Sequence, residues 1–452
     1  MAFRLIESLA STEPLAKLFA DESILRAMLD FEVALAKVQS RSGMIPASAA
    51  KSIAAAANPE AFDVAELSRK SLRAGTPSIP LVKALTKLVH VKDESAAAFV
   101  HWGATSQDVS DTALMLLLKQ AQPLIETDLV RCENALRALS EHHKHSVMLG
   151  RTLLQPAPPT TFGLKAAGWL GAVRRGRERL SYAFAEALLI QFGGAVGTLA
   201  MLGEKGPLVA QELAAELGLG CPDSPWHTQR DRLGALICAC GVVTGSLGKI
   251  ARDVSLLMQN EVREAAEPTS EGRGGSSTMP HKRNPIGCTV TIAAATRMPG
   301  LVASYLTAMP QEHERSLGGS QSEWPTVAAV IQTTGAAAAS VAEIVEGLTV
   351  DTTRMRRNLE ETRGIVFAEK ATVLLAEKFG RERAHELLEA AVRKAVEEKR
   401  ELSDVLGELP EIIKIVDKAS LQQLTVPEDY LGSAESFRRE VLRGTTPPST
   451  KS

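Results

Sequence analysis

At 452 residues the chain is long enough for two or three domains, each able to bury a core of its own. With 45% hydrophobic residues, 23% charged residues and a formal net charge of −2, it lacks the broad positive field that would suit nucleic acid or an anionic membrane. A small anionic substrate stays open, because a local cluster of cations does not need a basic protein.

The N-terminal stretch MAFRLIESLASTEPLAKLF has no continuous apolar core and carries acids, so it does not read as a signal peptide. Over residues 23–42, Ile24, Leu25, Met28, Leu29, Phe31, Leu35 and Val38 recur at three- and four-residue steps, which predicts a helix stopped by Gly43 and Pro46. Residues 1–104 are expected to form a smaller N-terminal helical domain.

Longer periodic stretches follow over residues 111–147, 159–190, 231–266, 285–309 and 326–348. As helices, the longest would each exceed about 30 Å. Small residues mark them: Gly234, Ala235, Ala239, Gly241, Gly245 and Gly248 run through one, and residues 335–339 through another. So much glycine weakens an isolated helix, whereas packed helices use small residues to approach closely. Abundant alanine and few aromatic residues agree with helices over sheets. The expectation is an all-α chain with a central long-helix bundle over residues 105–350, too apolar all round to be monomeric. Shorter amphipathic helices form a C-terminal domain over residues 351–452, with a disordered tail over residues 443–452.

No run of 18 apolar residues occurs, which excludes a membrane span on that criterion. Cys132, Cys221, Cys238, Cys240 and Cys288 are odd in number and contain no CxxC pair. They read as reduced thiols of a cytoplasmic protein. There is no HExxH cluster and no P-loop, so neither a metal nor an organic cofactor is expected.

The segment over residues 271–285 stands apart. Gly272, Gly274 and Gly275 make a helix impossible there and permit a mobile loop that can close over a ligand. Ser276, Ser277, Lys282 and Asn284 follow, with Asn284 and Pro285 suited to be the N-cap and first position of the next helix. Hydroxyls, an ammonium and a helix N-terminus suit a carboxylate; a solvated linker is the plainer alternative.

GGSSTMPHKRNP, over residues 274–285, matches the fumarase/aspartase superfamily signature G-S-S-x-M-P-x-K-x-N-P at every fixed position. His101 to Asp108 (HWGATSQD) resembles the first block of that family, and Gly150 to Ala157 (GRTLLQPA) resembles the second. The resemblance covers essentially the whole chain. It implies the L-aspartase-like fold: three helical domains and a homotetramer with a roughly 20-helix core. Each active site would be shared between three subunits.

The chemistry it implies is proton transfer at the carbon α to a carboxylate, through an aci-carboxylate whose charge needs preorganised donors. By the resemblance Ser276 is the proton-transfer residue, with Ser277 the neighbour most easily confused with it. Lys282 and Asn284 hold the carboxylate. Thr105 and Ser106 bind a second carboxylate, a role compatible with capping a helix, and Gln155 contacts the substrate through its amide. His101 either positions the anion or is a structural histidine bonded to backbone.

Leu153 separates the branches of the family. Argininosuccinate and adenylosuccinate lyases carry histidine there, acting as acid or acid partner on the leaving group. Leucine transfers no proton, a loss of about 10²- to 10⁴-fold for such a lyase. Intramolecular lactonization has no departing heteroatom to protonate. The stretches at residues 78–85, 191–194, 226–232 and 309–318 resemble the carboxymuconate cycloisomerase branch. That resemblance implies lactonization of 3-carboxy-cis,cis-muconate in aromatic catabolism, with Arg315 as a further anion contact or else an ion-pair partner of Glu312 or Glu314. Members of that branch can carry tryptophan at the position of Leu153. The smaller side chain would enlarge the pocket and admit a 3-sulfonate analogue. An adenylosuccinate- or argininosuccinate-type lyase, which releases fumarate, and a crystallin-like structural protein are the remaining alternatives.

Overall fold

The computed structural model describes residues 5–269, 274 and 283–444. Ser276, Ser277, Lys282 and all but the first two residues of the tail (residues 443–452) lie outside the described residues. In chain order the elements that matter here are α1 (Asp21–Arg41), α2 (Ser78–Lys92), α3 (Ser106–His142), β1 (Val147–Thr152), β2 (Gln155–Thr161), α4 (Phe162–Ala187), α5 (Asp231–Leu257), β3 (Ala265–Ala266), α6 (Ile286–Ala308), α7 (Gly319–Glu346), β4 (Thr349–Val350), α8 (Thr352–Glu360), α9 (Ala368–Phe379), α10 (Arg381–Glu398) and α11 (Ala434–Arg443). The chain is mostly helical, and its long helices overlap the periodic stretches read from the sequence, with ends shifted by up to nine residues.

Two compact units emerge from the packing. The first takes residues 1–130, 175–249 and 289–341; the second takes residues 131–174, 250–288 and 342–452. In the first, α1 buries Leu25, Met28, Leu29, Phe31, Leu35 and Val38, the stripe read from the sequence. Small residues bring α5 against α6. A Cβ added to Gly248 would stand 2.5 Å from the Ala295 methyl, so alanine would push the helices apart.

In the second unit, β1 and β2 form a hairpin whose register pairs Thr152 with Gln155. The two residues between, Leu153 and Leu154, have φ of 50° and 65°. Such a two-residue turn normally takes Asn-Gly or Asp-Gly. Here two leucines sit in left-handed backbone with their side chains 97% and 78% exposed. The C-terminal segment of this unit has its own apolar cluster, built on Leu375, Leu388, Ala391, Leu406 and Leu421. The final helix α11 docks through arginines: Arg137 donates to the Leu442 carbonyl at 2.9 Å, Arg174 to the Val441 carbonyl at 2.8 Å, and Arg438, itself buried, to the Ser140 carbonyl at 3.4 Å.

One expectation needs correction. Helices α5, α6 and α7 are long and apolar enough, by length and composition, to cross a membrane. An uninterrupted run of apolar residues is not required of such a helix, because scattered polar residues leave it apolar on average. Most of the apolar window of α5 and of α7 is buried within the chain, but only 28% of that of α6 is.

Candidate active site

In the first unit the site is built on the turn leading into α3. Thr105 precedes the helix, and its N–H donates to the Asp108 carboxylate at 3.0 Å, the return bond of a capping box. Asp108 is fully buried and accepts three further bonds: from Gly193 N–H at 3.1 Å, from Gly194 N–H at 2.9 Å, and across 2.7 Å to Nε2 of the buried His227. Four partners satisfy a carboxylate that burial would otherwise penalise heavily. Ser78, at the start of α2, donates to the Ser106 carbonyl at 2.8 Å. The turn is therefore held from three sides, leaving its hydroxyls to face outward.

Arg315 meets those hydroxyls. One guanidinium nitrogen donates to Thr105 Oγ1 at 2.6 Å and the other to Ser106 Oγ at 3.0 Å. Among the described residues it pairs with no carboxylate, and Glu312 instead accepts the Leu317 N–H. The Arg315 loop is itself anchored: Gln311 donates to Glu323 at 2.7 Å and Thr228 to the His313 carbonyl at 3.0 Å. An unpaired guanidinium between two hydroxyls offers a planar carboxylate several donors at once.

Behind this lies a buried ionic network that carries no role in the sequence reading. Arg230 donates to Asp111 at 2.8 Å and to Glu323 at 2.6 Å, with all three side chains fully buried. Its guanidinium also stands 4.6 Å from the centre of the Trp226 ring. Burial pushes the Glu323 carboxyl above its ordinary range despite the adjacent guanidinium. The signal for this network was the stretch at residues 226–232, noted for its resemblance but given no chemistry.

His101 bonds to a carboxylate, not to backbone as one reading of the sequence had it. Its Nδ1 lies 2.6 Å from Oε1 of Glu32, a side chain only 1% exposed on the inner face of α1. Burial opposes protonation of the ring, but the Glu32 charge and hydrogen bond, with the Asp108 charge, outweigh it and hold the imidazole above its ordinary range. Glu32 was missed, although a charged residue inside the apolar stripe Leu25, Met28, Leu29, Leu35 was a legible anomaly.

In the second unit, Leu153 is the first residue of the exposed hairpin tip and Gln155 opens β2. The hairpin base is tied down by Arg151, which grips the fully buried Glu264 with two bonds of 2.9 and 2.7 Å, and Asn358 of α8 donates to the same carboxylate at 2.7 Å. Asn284 donates its N–H to the Gly274 carbonyl at 3.0 Å. Gly274 has φ of 73°, and a Cβ there would meet the Asn284 carbonyl oxygen at 2.8 Å, so this contact requires glycine. Helix α6 starts at Ile286, one residue later than expected. The first-turn amides of Gly287 and Cys288 are bonded at 2.9 and 2.7 Å to the carboxylate of the buried Glu267. The chain thus supplies its own anion to the helix N-terminus that the sequence offered to a ligand. Ser276, Ser277 and Lys282 fall in the same stretch but outside the described residues.

A family model described as lyase matches residues 8–300, and one described as adenylosuccinate lyase C-terminus matches residues 364–441. The chain belongs to the fumarase/aspartase superfamily. Within that superfamily, the 3-carboxy-cis,cis-muconate cycloisomerase of Pseudomonas aeruginosa is 48% identical, across 98% of this chain and 96% of that protein. The nitrosuccinate lyase of Streptomyces davaonensis is 40% identical, across 97% and 94%. Of solved superfamily structures, the 3-carboxy-cis,cis-muconate lactonizing enzyme from Pseudomonas putida matches with a TM-score of 0.92 at 44% identity, covering 98% of each chain.

Proposed function

We propose that this chain is a 3-carboxy-cis,cis-muconate cycloisomerase of aromatic catabolism. The full-length similarity to enzymes of that name carries the choice of substrate. The geometry supports the substrate class, since Thr105, Ser106 and Arg315 together form a carboxylate cradle.

In the reaction, a carboxylate oxygen of the substrate forms a C–O bond to an alkene carbon. The displaced electron pair moves into the conjugated carboxylate, and one proton is added to the carbon α to it. Nothing is oxidised or reduced. Ser276 delivers that proton, and Lys282 and Asn284 stabilise the doubly charged carboxylate. Thr105, Ser106, Arg315 and His101 hold the remaining carboxylates, with Gln155 and Leu153 lining the pocket. No group is needed to protonate a leaving heteroatom, in keeping with leucine at residue 153. No metal or organic cofactor enters this scheme.

The working form is a homotetramer with a 20-helix core and sites shared between three subunits. The mostly unburied apolar surface of α6 and the exposed tip at Leu153 and Leu154 support it, since both call for cover. Three domains over residues 1–104, 105–350 and 351–452 describe the protomer, and five free cysteines suit a cytoplasmic location.

An ultraviolet assay with purified protein and 3-carboxymuconate tests the reading, which expects loss of the diene absorption. No turnover, with fumarate released from a succinyl substrate instead, would replace it with a lyase. The size of Leu153 favours one variant, in which 3-sulfomuconate is also turned over. A strong preference for the carboxylate removes that variant.

A further inference from the structure

We propose that Glu32 is a positioning residue for this reaction: its buried carboxylate grips His101 through Nδ1, so that a protonated imidazole stands as a fixed cation on the turn that carries Thr105 and Ser106. The inference rests on the function proposed above and extends it to a residue outside the family's three blocks.

Four observations carry it. Glu32 occupies a core position of α1, where an apolar side chain would pack at no electrostatic cost. Among the described residues its buried Oε2 has no partner, and the bond to His101 is the one the carboxylate makes. A carboxylate so poorly solvated needs a countercharge, which the imidazolium provides. His101 itself has φ of 61°, a left-handed backbone uncommon for a residue with a Cβ. Two turns further along the same face of α1, Gln39 donates to the Trp102 carbonyl at 2.7 Å. One helix thus places two buried polar side chains, seven residues apart, on two successive residues of the first block.

Stability alone is a poor account of this arrangement, because a buried ion pair contributes little that an apolar pair would not. The charged groups bearing on the ring are Glu32 from α1 and Asp108 from α3, and His227 is bonded to the latter. With Nδ1 taken, Nε2 has no protein partner among the described residues, and 17% of the side chain is exposed. A substrate with three carboxylates needs several positive charges, and a ring locked this way adds one without the mobility of a lysine.

The test uses the full-length enzyme as wild type, Glu32→Gln and His101→Asn. With histidine labelled at the C2 carbon, the resonance absent from His101→Asn identifies His101 in the substrate-free protein. Its titration midpoint should lie above the ordinary histidine value in wild type. In Glu32→Gln it should fall by about one pH unit, a roughly tenfold loss of proton affinity. With 3-carboxymuconate, KM of Glu32→Gln should match wild type near pH 6 and rise about tenfold by pH 8, while kcat stays within about twofold. A wild-type His101 that titrates below the ordinary value overturns the proposal even if Glu32→Gln does not fold. So does a Glu32→Gln enzyme whose titration and KM profile match wild type. Absence of wild-type turnover instead counts against the proposed reaction, and the titration still decides the role of Glu32.

Discussion

The guanidinium of Arg315 and the hydroxyl of Thr105, 210 residues apart in the chain, meet at 2.6 Å. Their meeting makes the first block more than a helix cap, since the cap bond uses the backbone of Thr105 and leaves its hydroxyl for the arginine. Arg315→Ala should therefore lower kcat/KM by about 10- to 100-fold, the worth of a hydrogen bond to a charged group, with the fold intact. Arg315→Lys should recover little, because an ammonium cannot span both hydroxyls. Steady-state kinetics beside circular dichroism would check both, and unchanged kinetics in Arg315→Ala would remove the residue from the site.

Ser276→Ala should lower kcat by at least about 10²-fold, with helicity and oligomeric state unchanged. If Ser277→Ala shows that loss and Ser276→Ala does not, the two serines exchange roles.

Arg230→Leu should be among the most destabilising single changes in the first unit. It leaves Asp111 and Glu323 buried without their shared cation, a loss of about 3–5 kcal/mol. Chemical denaturation measures it. A cost under about 1 kcal/mol would mean that water reaches the network.

The pair of Glu32 and His101 gives stability a pH dependence with a definite sign. The folded-state pKa of His101 is raised, so the pair's contribution is complete below the ordinary pKa of the ring. It is lost as pH climbs through the raised value. The stability gap between wild type and Glu32→Gln should accordingly be wider at pH 6 than at pH 9. Thermal or denaturant unfolding at the two pH values reads it, and a gap that widens toward alkali would contradict the assignment.

Replacing Leu153 and Leu154 by Asn and Gly should relieve left-handed strain of about 1 kcal/mol per residue and raise the unfolding midpoint. The same change should reduce turnover if the tip lines a pocket. A more stable variant with full activity would show that the leucines serve neither the turn nor the substrate.

The sequence made the long helices legible because their apolar stripes are long, but their ends were less so. The helix expected over residues 111–147 runs Ser106–His142, since its start is set by the cap of Thr105 and Asp108, ahead of the first apolar residues. The helix expected from residue 326 begins at Gly319, and Pro325, a residue type that disfavours helix interiors, sits inside it. The hairpin of β1 and β2 was invisible: its turn has leucines where a turn signal would have glycine or asparagine, and Pro156, Pro158 and Pro159 argue against a strand. Thr105, Ser106 and Arg315 could be named because a local motif marks each one. Asp111 and Glu323 depend on contacts 119 and 93 residues distant, which no local pattern encodes, and Glu32, legible as a charge in an apolar stripe, has its partner 69 residues away.

The docking of α11 has a consequence for how the chain is made. Arg174 waits 267 residues for the Val441 carbonyl that it binds. At the usual pace of translation that interval is roughly 13–50 s. Through it, the nascent segment around the hairpin base lacks its last helical partner. Newly made protein should therefore depend on chaperone shelter until residues 434–443 have left the ribosome, and a ribosome stalled before residue 434 would hold a second unit unable to close.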